Sequence, residues 1–294
     1  MSCSDISQAA GEPLAGSATR AERWLLVELR GAWGRDAVAD TDIPAMVREM
    51  LGTYDGRVLL IRRPERRDNG TTVISATAAD GGLGEARRLE LGSLEELPGA
   101  DLSSGTSVED PVLLVCTHGR RDACCAARGV PVYEALKTFV GPSSLWQSSH
   151  QGGHRFAANL LSLPLGVQLG RVAPAQAQAA AALLAVGRIP LAHYRGRTLY
   201  EPRVQAAEVA VRRHLRLDAV EDLQLAGVSN GTVRFHTSAG EVEAHVEAEP
   251  GLSIPASCGA DAAPELRYAV TLCCAIDPSS SRGLDARQAG TRDP

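Results

Sequence analysis

Short, mostly apolar runs punctuate the first two thirds of the chain: Trp24-Leu-Leu-Val-Glu-Leu29, Arg57-Val-Leu-Leu-Ile-Arg62 and Pro111-Val-Leu-Leu-Val-Cys116. Runs of this length and β-branched content predict buried strands. Period-two alternation over 71–76 and 87–91 predicts a hairpin pair, and 159–163 with 167–172 predicts another about Pro164-Leu-Gly166. Residues 144–148 read as one more strand. Helical spacing marks 43–51, with Asp42 as N-cap, and 131–139, with Pro131 in its first turn. Ser93 to Leu97 reads as a short helix. Pro174 to Val186 is Ala-rich, opens on Pro and stops at Gly187, so it predicts a further helix.

The order strand, helix, strand, strand, strand, closing helix therefore occurs about twice, and that order is thioredoxin-like. After Gly187 the pattern changes. An amphipathic helix is expected over 204–215, with apolar positions at 204, 207, 211 and 215. A hairpin over 232–236 and 241–247 and a last strand over 267–275 complete it. The expected fold class is α/β. Its parts are a flexible N-terminus (1–20), a degenerate thioredoxin-like α/β domain (21–100) and a thioredoxin-like domain (111–190). A small α+β C-terminal appendage (191–276) and a disordered tail (277–294) follow. Residues 98–110, rich in Gly, Ser and Asp, have linker composition.

Composition narrows the class. Of 294 residues, 44% are hydrophobic and 22% charged, which suits a globular chain with ample core. Net charge is −5, so no electrostatic footprint for nucleic acid is present. No apolar run is long enough to span a bilayer, and no signal peptide precedes Trp24. Seven cysteines, two of the sites being adjacent pairs, do not resemble a disulfide framework. A cytoplasmic location is expected, where cysteines serve metal or redox chemistry more often than cross-linking.

The chemistry concentrates in one stretch. Cys116 is followed after eight residues by Cys125, and after a further 24 residues by His150-Gln-Gly-Gly-His154. Thiolate and imidazole are the side chains that bind borderline-soft metals best. Four of them complete one tetrahedral zinc ion or cap the two irons of a [2Fe–2S] cluster. Gly152 and Gly153 let the backbone bend between the histidines. Cys124 offers a second choice beside Cys125, and His118 a fifth candidate ligand that reads better as a hydrogen-bonding loop residue. Asp122 is expected to bond backbone amides and shape the loop. Cys258, Cys273 and Cys274 read as packed thiols, Cys3 as incidental in a mobile tail, and Arg195 and Arg197 as loop residues that pair with carboxylates or dock a partner. No Cys-x-x-Cys, Walker or Rossmann pattern appears.

The run Cys116-Thr-His-Gly-Arg-Arg-Asp-Ala-Cys-Cys125 followed by His150-Gln-Gly-Gly-His154-Arg-Phe-Ala resembles the sucrase/ferredoxin-like family. Weaker echoes lie at Glu12 to Gly16, Leu25 to Gly34 and Tyr194 to Arg197. The resemblance implies a thioredoxin-like ferredoxin domain at 111–190. It further implies a [2Fe–2S] cluster with Cys116 and Cys125 on one iron, His150 and His154 on the other, and Cys125 chosen over Cys124. This is the ligand division of a Rieske centre. Two imidazoles in place of two thiolates remove negative charge and raise the potential from about −400 mV towards a range beginning near −150 mV. Reduction is then expected to couple to protonation of the histidines. The implied function is single-electron transfer to and from an unknown redox protein, rather than catalysis on a substrate of its own. The alternatives are a zinc-stabilised interaction module and a redox or iron sensor.

Overall fold

The computed structural model describes residues 1–64 and 70–273. Ten strands form one curled sheet: β1 (Arg23–Glu28), β2 (Arg57–Arg62), β3 (Thr71–Thr77), β4 (Glu85–Leu91), β5 (Thr106–Ser107), β6 (Val112–Cys116), β7 (Leu145–Ser148), β8 (Leu160–Leu163), β9 (Val167–Leu169) and β10 (Tyr194–Arg197). Their order across the sheet is β10-β9-β8-β6-β7-β2-β1-β3-β4-β5. The helices are α1 (Cys3–Ala9), α2 (Ala45–Thr53), α3 (Ala123–Lys137), α4 (Pro174–Ala185) and α5 (Pro202–Leu215). A separate antiparallel sheet holds β11 (Gln224–Ser229), β12 (Thr232–Thr237), β13 (Gly240–Pro255) and β14 (Ala262–Leu272) in sequence order. The α/β class is therefore as expected.

The large sheet repeats one pattern. β1 pairs β2 in parallel and β3 antiparallel. β6 likewise pairs β7 in parallel and β8 antiparallel. The sets meet where β2 and β7 pair antiparallel through Ile61 opposite Ser148 and Arg62 opposite Gln147. Ile61 lies opposite Glu28 in one set, and Ser148 lies opposite Cys116 in the other. The repeat thus makes Glu28 the counterpart of Cys116.

Alternation on the strands explains the layers. Trp24 and Leu26 of β1 pack with Val112 and Leu114 of β6 in one core shared by both halves. Leu25 and Val27 face α2, while Leu113 and Val115 face α3 and α4. With both faces covered, these strands read as continuous apolar runs.

Several expectations change. The N-terminal 1–20 segment holds α1, closed by a capping box in which Ser2 accepts from the Asp5 amide, and Cys3, Ser4 and Ser7 are buried. Helix α2 starts two residues late, after Pro44, with no side-chain cap at Asp42. Helix α3 begins at Ala123 rather than Pro131, because Asp122 caps it by accepting from the Cys124 amide at 2.9 Å. Pro131 then lies inside the helix. Leu94–Gly99 is a 3₁₀ turn rather than an α-helix, and the 98–110 stretch contributes β5 to the sheet. Tyr194–Arg197 is strand β10, not a loop. The apolar positions 204, 207 and 211 of α5 pack on the small sheet, yet its polar face is buried too. There Glu208 pairs with Arg212 at 2.9 Å and accepts from the Tyr194 hydroxyl at 2.9 Å. The expected tail at 277–294, and Cys274, lie outside the described residues.

Gly129 marks the tightest contact between α3 and β6: a Cβ there would overlap the carbonyl of Cys116. Gly129→Ala is therefore expected to cost about 1–3 kcal/mol through overpacking. Gly52→Ala, in α2 with open space around it, is expected to gain about 0.4–1 kcal/mol. Urea unfolding of the two variants measures both.

Candidate metal centre

Cys116 is the last residue of β6, and Cys125 lies in the first turn of α3. Both are buried. His150 follows β7, and His154 opens a 3₁₀ turn after Gly152 and Gly153, whose φ angles are +93° and +68°. Only glycine adopts such angles without strain. The ligand atoms of Cys116, Cys125 and His150 lie within 4.8 Å of one another. Cys125 Sγ is 3.7 Å from His150 Nδ1. His154 stands beside this trio rather than in it, its ring centroid 4.8 Å from that of His150. Its Nδ1 is buried with no hydrogen-bond partner among the described residues. Its Nε2 lies 3.9 Å from Asp122 Oδ2.

Electrostatics differ across the group. The Cys125 thiol donates to Cys116. That bond, aided by His150 and the Gln151 amide and opposed by burial, holds Cys116 well below the ordinary thiol value. The same bond together with burial pushes Cys125 up. Burial lowers His154, with the neighbouring His150 acting in the same sense. A buried imidazole that stays neutral keeps a lone pair for a cation.

The histidine loop is clamped through its carbonyls. His150 O accepts from Arg57 at 3.2 Å. Gln151 O accepts from Thr19 Oγ1 at 2.6 Å and from Gln168 Nε2 at 3.2 Å. Gly152 O accepts from Arg195 at 3.1 Å, and Gly153 O from Asn159 Nδ2 at 2.9 Å. Arg195 also binds Asn159 Oδ1 at 2.8 Å, Ser17 Oγ at 3.1 Å and the Ser17 carbonyl. Burial brings its pKa down to about 9, which leaves it charged at neutral pH.

Arg195 and Arg197 are 1% and 0% exposed. Both were expected as loop residues; they are instead internal donors to main-chain oxygens, Arg197 reaching Leu165 O at 3.1 Å. None of Thr19, Arg57, Asn159, Gln168 or Arg195 stands out by spacing; only the Tyr194-Arg-Gly-Arg197 run hinted at its part. His118 behaves as expected, its Nε2 meeting Gly34 O at 2.7 Å, as does Asp122, which accepts from the Cys124 and Cys258 amides. Cys258 is exposed rather than packed, and Cys273 is exposed as well. Beside His150 opens a cavity of about 270 Å³ lined by Arg35, Arg57, His118 and Arg121.

Arg195→Met is expected to unpair the Gly152, Ser17 and Asn159 acceptors, at about 1–3 kcal/mol for each one left buried. Gly153→Ala places a Cβ against the Arg195 guanidinium at positive φ. Both variants should lower the metal content of the folded protein, measured by elemental analysis alongside thermal unfolding.

The sucrase/ferredoxin-like family profile matches residues 14–196, more than half of the chain. No curated protein and no solved structure matches it. Among the described residues no helix is long and apolar enough to cross a membrane. The match spans Cys116, Cys125, His150, His154 and the clamping residues Thr19, Arg57, Asn159, Gln168 and Arg195, and the chain belongs to the sucrase/ferredoxin-like family.

Proposed function

We propose that Cys116, Cys125, His150 and His154 hold a [2Fe–2S] cluster, and that the protein passes single electrons between redox partners. The observation that carries this reading is the convergence of two buried thiols and His150 within 4.8 Å, beside a His154 whose buried Nδ1 has no partner. In a ferredoxin-like family the donor set fits: the thiols come from one segment and the imidazoles from another, so each pair can take one iron. Such a cluster supplies one-electron chemistry at a potential set by ligand charge and nearby hydrogen bonds.

The chain's own residues set the conditions. Cys116 and Cys125 exclude water at the base of the site. Arg57 and Arg195 supply positive charge from within the protein and fix the loop. His150 turns Nδ1 towards Cys125. His150 is half-buried and lines the cavity with Arg35, Arg57 and Arg121, so an acidic partner surface would approach there. The six described cysteines are unbridged, which suits the cytoplasm. We take 21–100 and 111–190 as two thioredoxin-like units, the first without ligands, and 191–276 as an appendage.

A second reading is favoured by one distance. Cys125 Sγ and His150 Nδ1 at 3.7 Å are spaced like two ligands of a single tetrahedral ion, which would make the centre a structural zinc site.

Absorption spectra of anaerobically purified protein before and after dithionite separate the two. Visible bands that bleach, with about two irons per chain, are the expected result. His150→Cys and His154→Cys should each lower the midpoint potential by on the order of 100 mV, since each adds negative charge. The wild-type potential should fall as pH rises. A colourless protein that holds zinc and no iron, even after reconstitution with iron and sulfide, would overturn the electron-transfer reading.

A further inference from the structure

A second group of metal-ligating side chains lies beside the first and shares none of its ligands. Cys3 Sγ is 3.4 Å from Cys124 Sγ, Cys124 Sγ is 3.4 Å from Cys258 Sγ, and Cys258 Sγ is 3.7 Å from Cys3 Sγ. Both carboxylate oxygens of Asp122 stand 3.9 Å from Cys3 Sγ. The four ligand atoms all lie within 4.8 Å of one another.

The distances choose between chemistries. Zn–S bonds of about 2.3 Å place two thiolates of a tetrahedral ion about 3.8 Å apart. Three sulfurs in a near-equilateral triangle of 3.4–3.7 Å come close to that. A disulfide uses two sulfurs at about 2.05 Å and strands the third. Three thiolates and one carboxylate suit a thiophilic divalent cation better than a hard one.

Each ligand is held by local structure. Cys3 is the first residue of α1, which the Ser2–Asp5 capping box fixes. Cys124 sits in the first turn of α3. Cys258 lies in the connection from β13 to β14, and its amide donates to Asp122 Oδ2 at 2.8 Å. Asp122 Oδ1 accepts from the Cys124 amide, so the carboxylate is already oriented before any ion arrives. Cys3 and Cys258 fall outside the family match at 14–196. Asp122 and Cys124 lie inside that match, so the group joins two residues of the matched core to two from outside it.

We propose that Cys3, Asp122, Cys124 and Cys258 form a mononuclear, tetrahedral zinc-class site that ties α1 and the β13–β14 connection to the first turn of α3. Binding releases the thiol protons to solvent. The ion would secure α1 and the β13–β14 connection over the loop that carries Asp122 and Cys125.

The test uses the full chain under anaerobic, reducing conditions, with the first centre disabled by Cys116→Ser and His150→Ala. Cobalt(II) should bind at one equivalent, with thiolate-to-cobalt charge transfer and the visible bands of tetrahedral coordination, and zinc should displace it. Adding Cys258→Ser, at an exposed position, should weaken binding about tenfold or more, and Cys3→Ser with Cys258→Ser should abolish the bands. Circular dichroism establishes that each variant is folded. Should the disabled background fail to fold, native mass spectrometry of the wild type and of Cys3→Ser/Cys258→Ser reads zinc directly, with a loss of one zinc per chain expected. The proposal is overturned if cobalt bands are absent from folded protein, or persist unchanged in the double variant. Equal zinc in wild type and double variant, or a disulfide among the three cysteines that survives reducing purification, would overturn it as well.

Discussion

Four consecutive carbonyls, from His150 to Gly153, must find donors in a partly buried loop. Leaving one buried acceptor unpaired costs on the order of 1–3 kcal/mol. Regular secondary structure reaches only the last of them, Gly153 O, which accepts from the Phe156 amide at 2.9 Å, because two left-handed glycines break any ladder or helix before it. Side chains from five other segments serve the loop as well: Thr19 before β1, Arg57 on β2, Asn159 just before β8, Gln168 on β9 and Arg195 on β10. The site is a consequence of this clamp. It explains why a charged guanidinium is tolerated in the interior: Arg195 is desolvated, but its donors meet oxygens of Ser17, Gly152 and Asn159. It also explains why the segment around Thr19 is drawn against the second half of the sheet.

The repeated strand pattern gives the first half a role in that clamp. The β2–β7 junction places Arg57 at the His150 carbonyl, and exchanges two hydrogen bonds between Leu60 and Ser149. At the counterpart of Cys116 the first half carries Glu28, buried and accepting from the Thr72 amide at 3.2 Å. One half thus ends its central strand on a thiol at the candidate centre, the other on a carboxylate engaged with its own sheet. The half without thiols works as a buttress, joined to its partner by a core in which Trp24 and Trp146 both take part.

Features set by local pattern were legible in the sequence. Continuous apolar runs located β1, β2 and β6, and the motif spacing picked out Cys116, Cys125 and His150, whose ligand atoms lie within 4.8 Å of one another, with His154 beside them. Features set by long-range partners were not. An Arg-Gly-Arg run looks like solvent-facing loop, because the carbonyls that make its burial tolerable are more than thirty residues away in sequence. Helix α3 was placed too late because Pro131 is a familiar first-turn residue, whereas the actual start is fixed by the Asp122 side chain. Cys3 and Cys258 carried no spacing signal at all, since they are brought together only by the docking of α1 and the β13–β14 connection.

The adjacent cysteines 124 and 125 show how one local choice organises both groups of candidate ligands. Successive residues on an α-helix are turned by about 100°, so neighbouring side chains in the first turn of α3 do not face the same ion. Cys125 turns towards Cys116 and His150, while Cys124 turns towards Cys3 and Cys258. Helix geometry therefore favours Cys125 as the partner of Cys116 on grounds independent of any family pattern. Asp122 sits where the two directions diverge. Its oxygens accept from the amides of Cys124 and Cys258, and one of them lies 3.9 Å from His154 Nε2. A single carboxylate thus starts the helix, aims both thiols, and stands between the imidazole of one group and the sulfurs of the other.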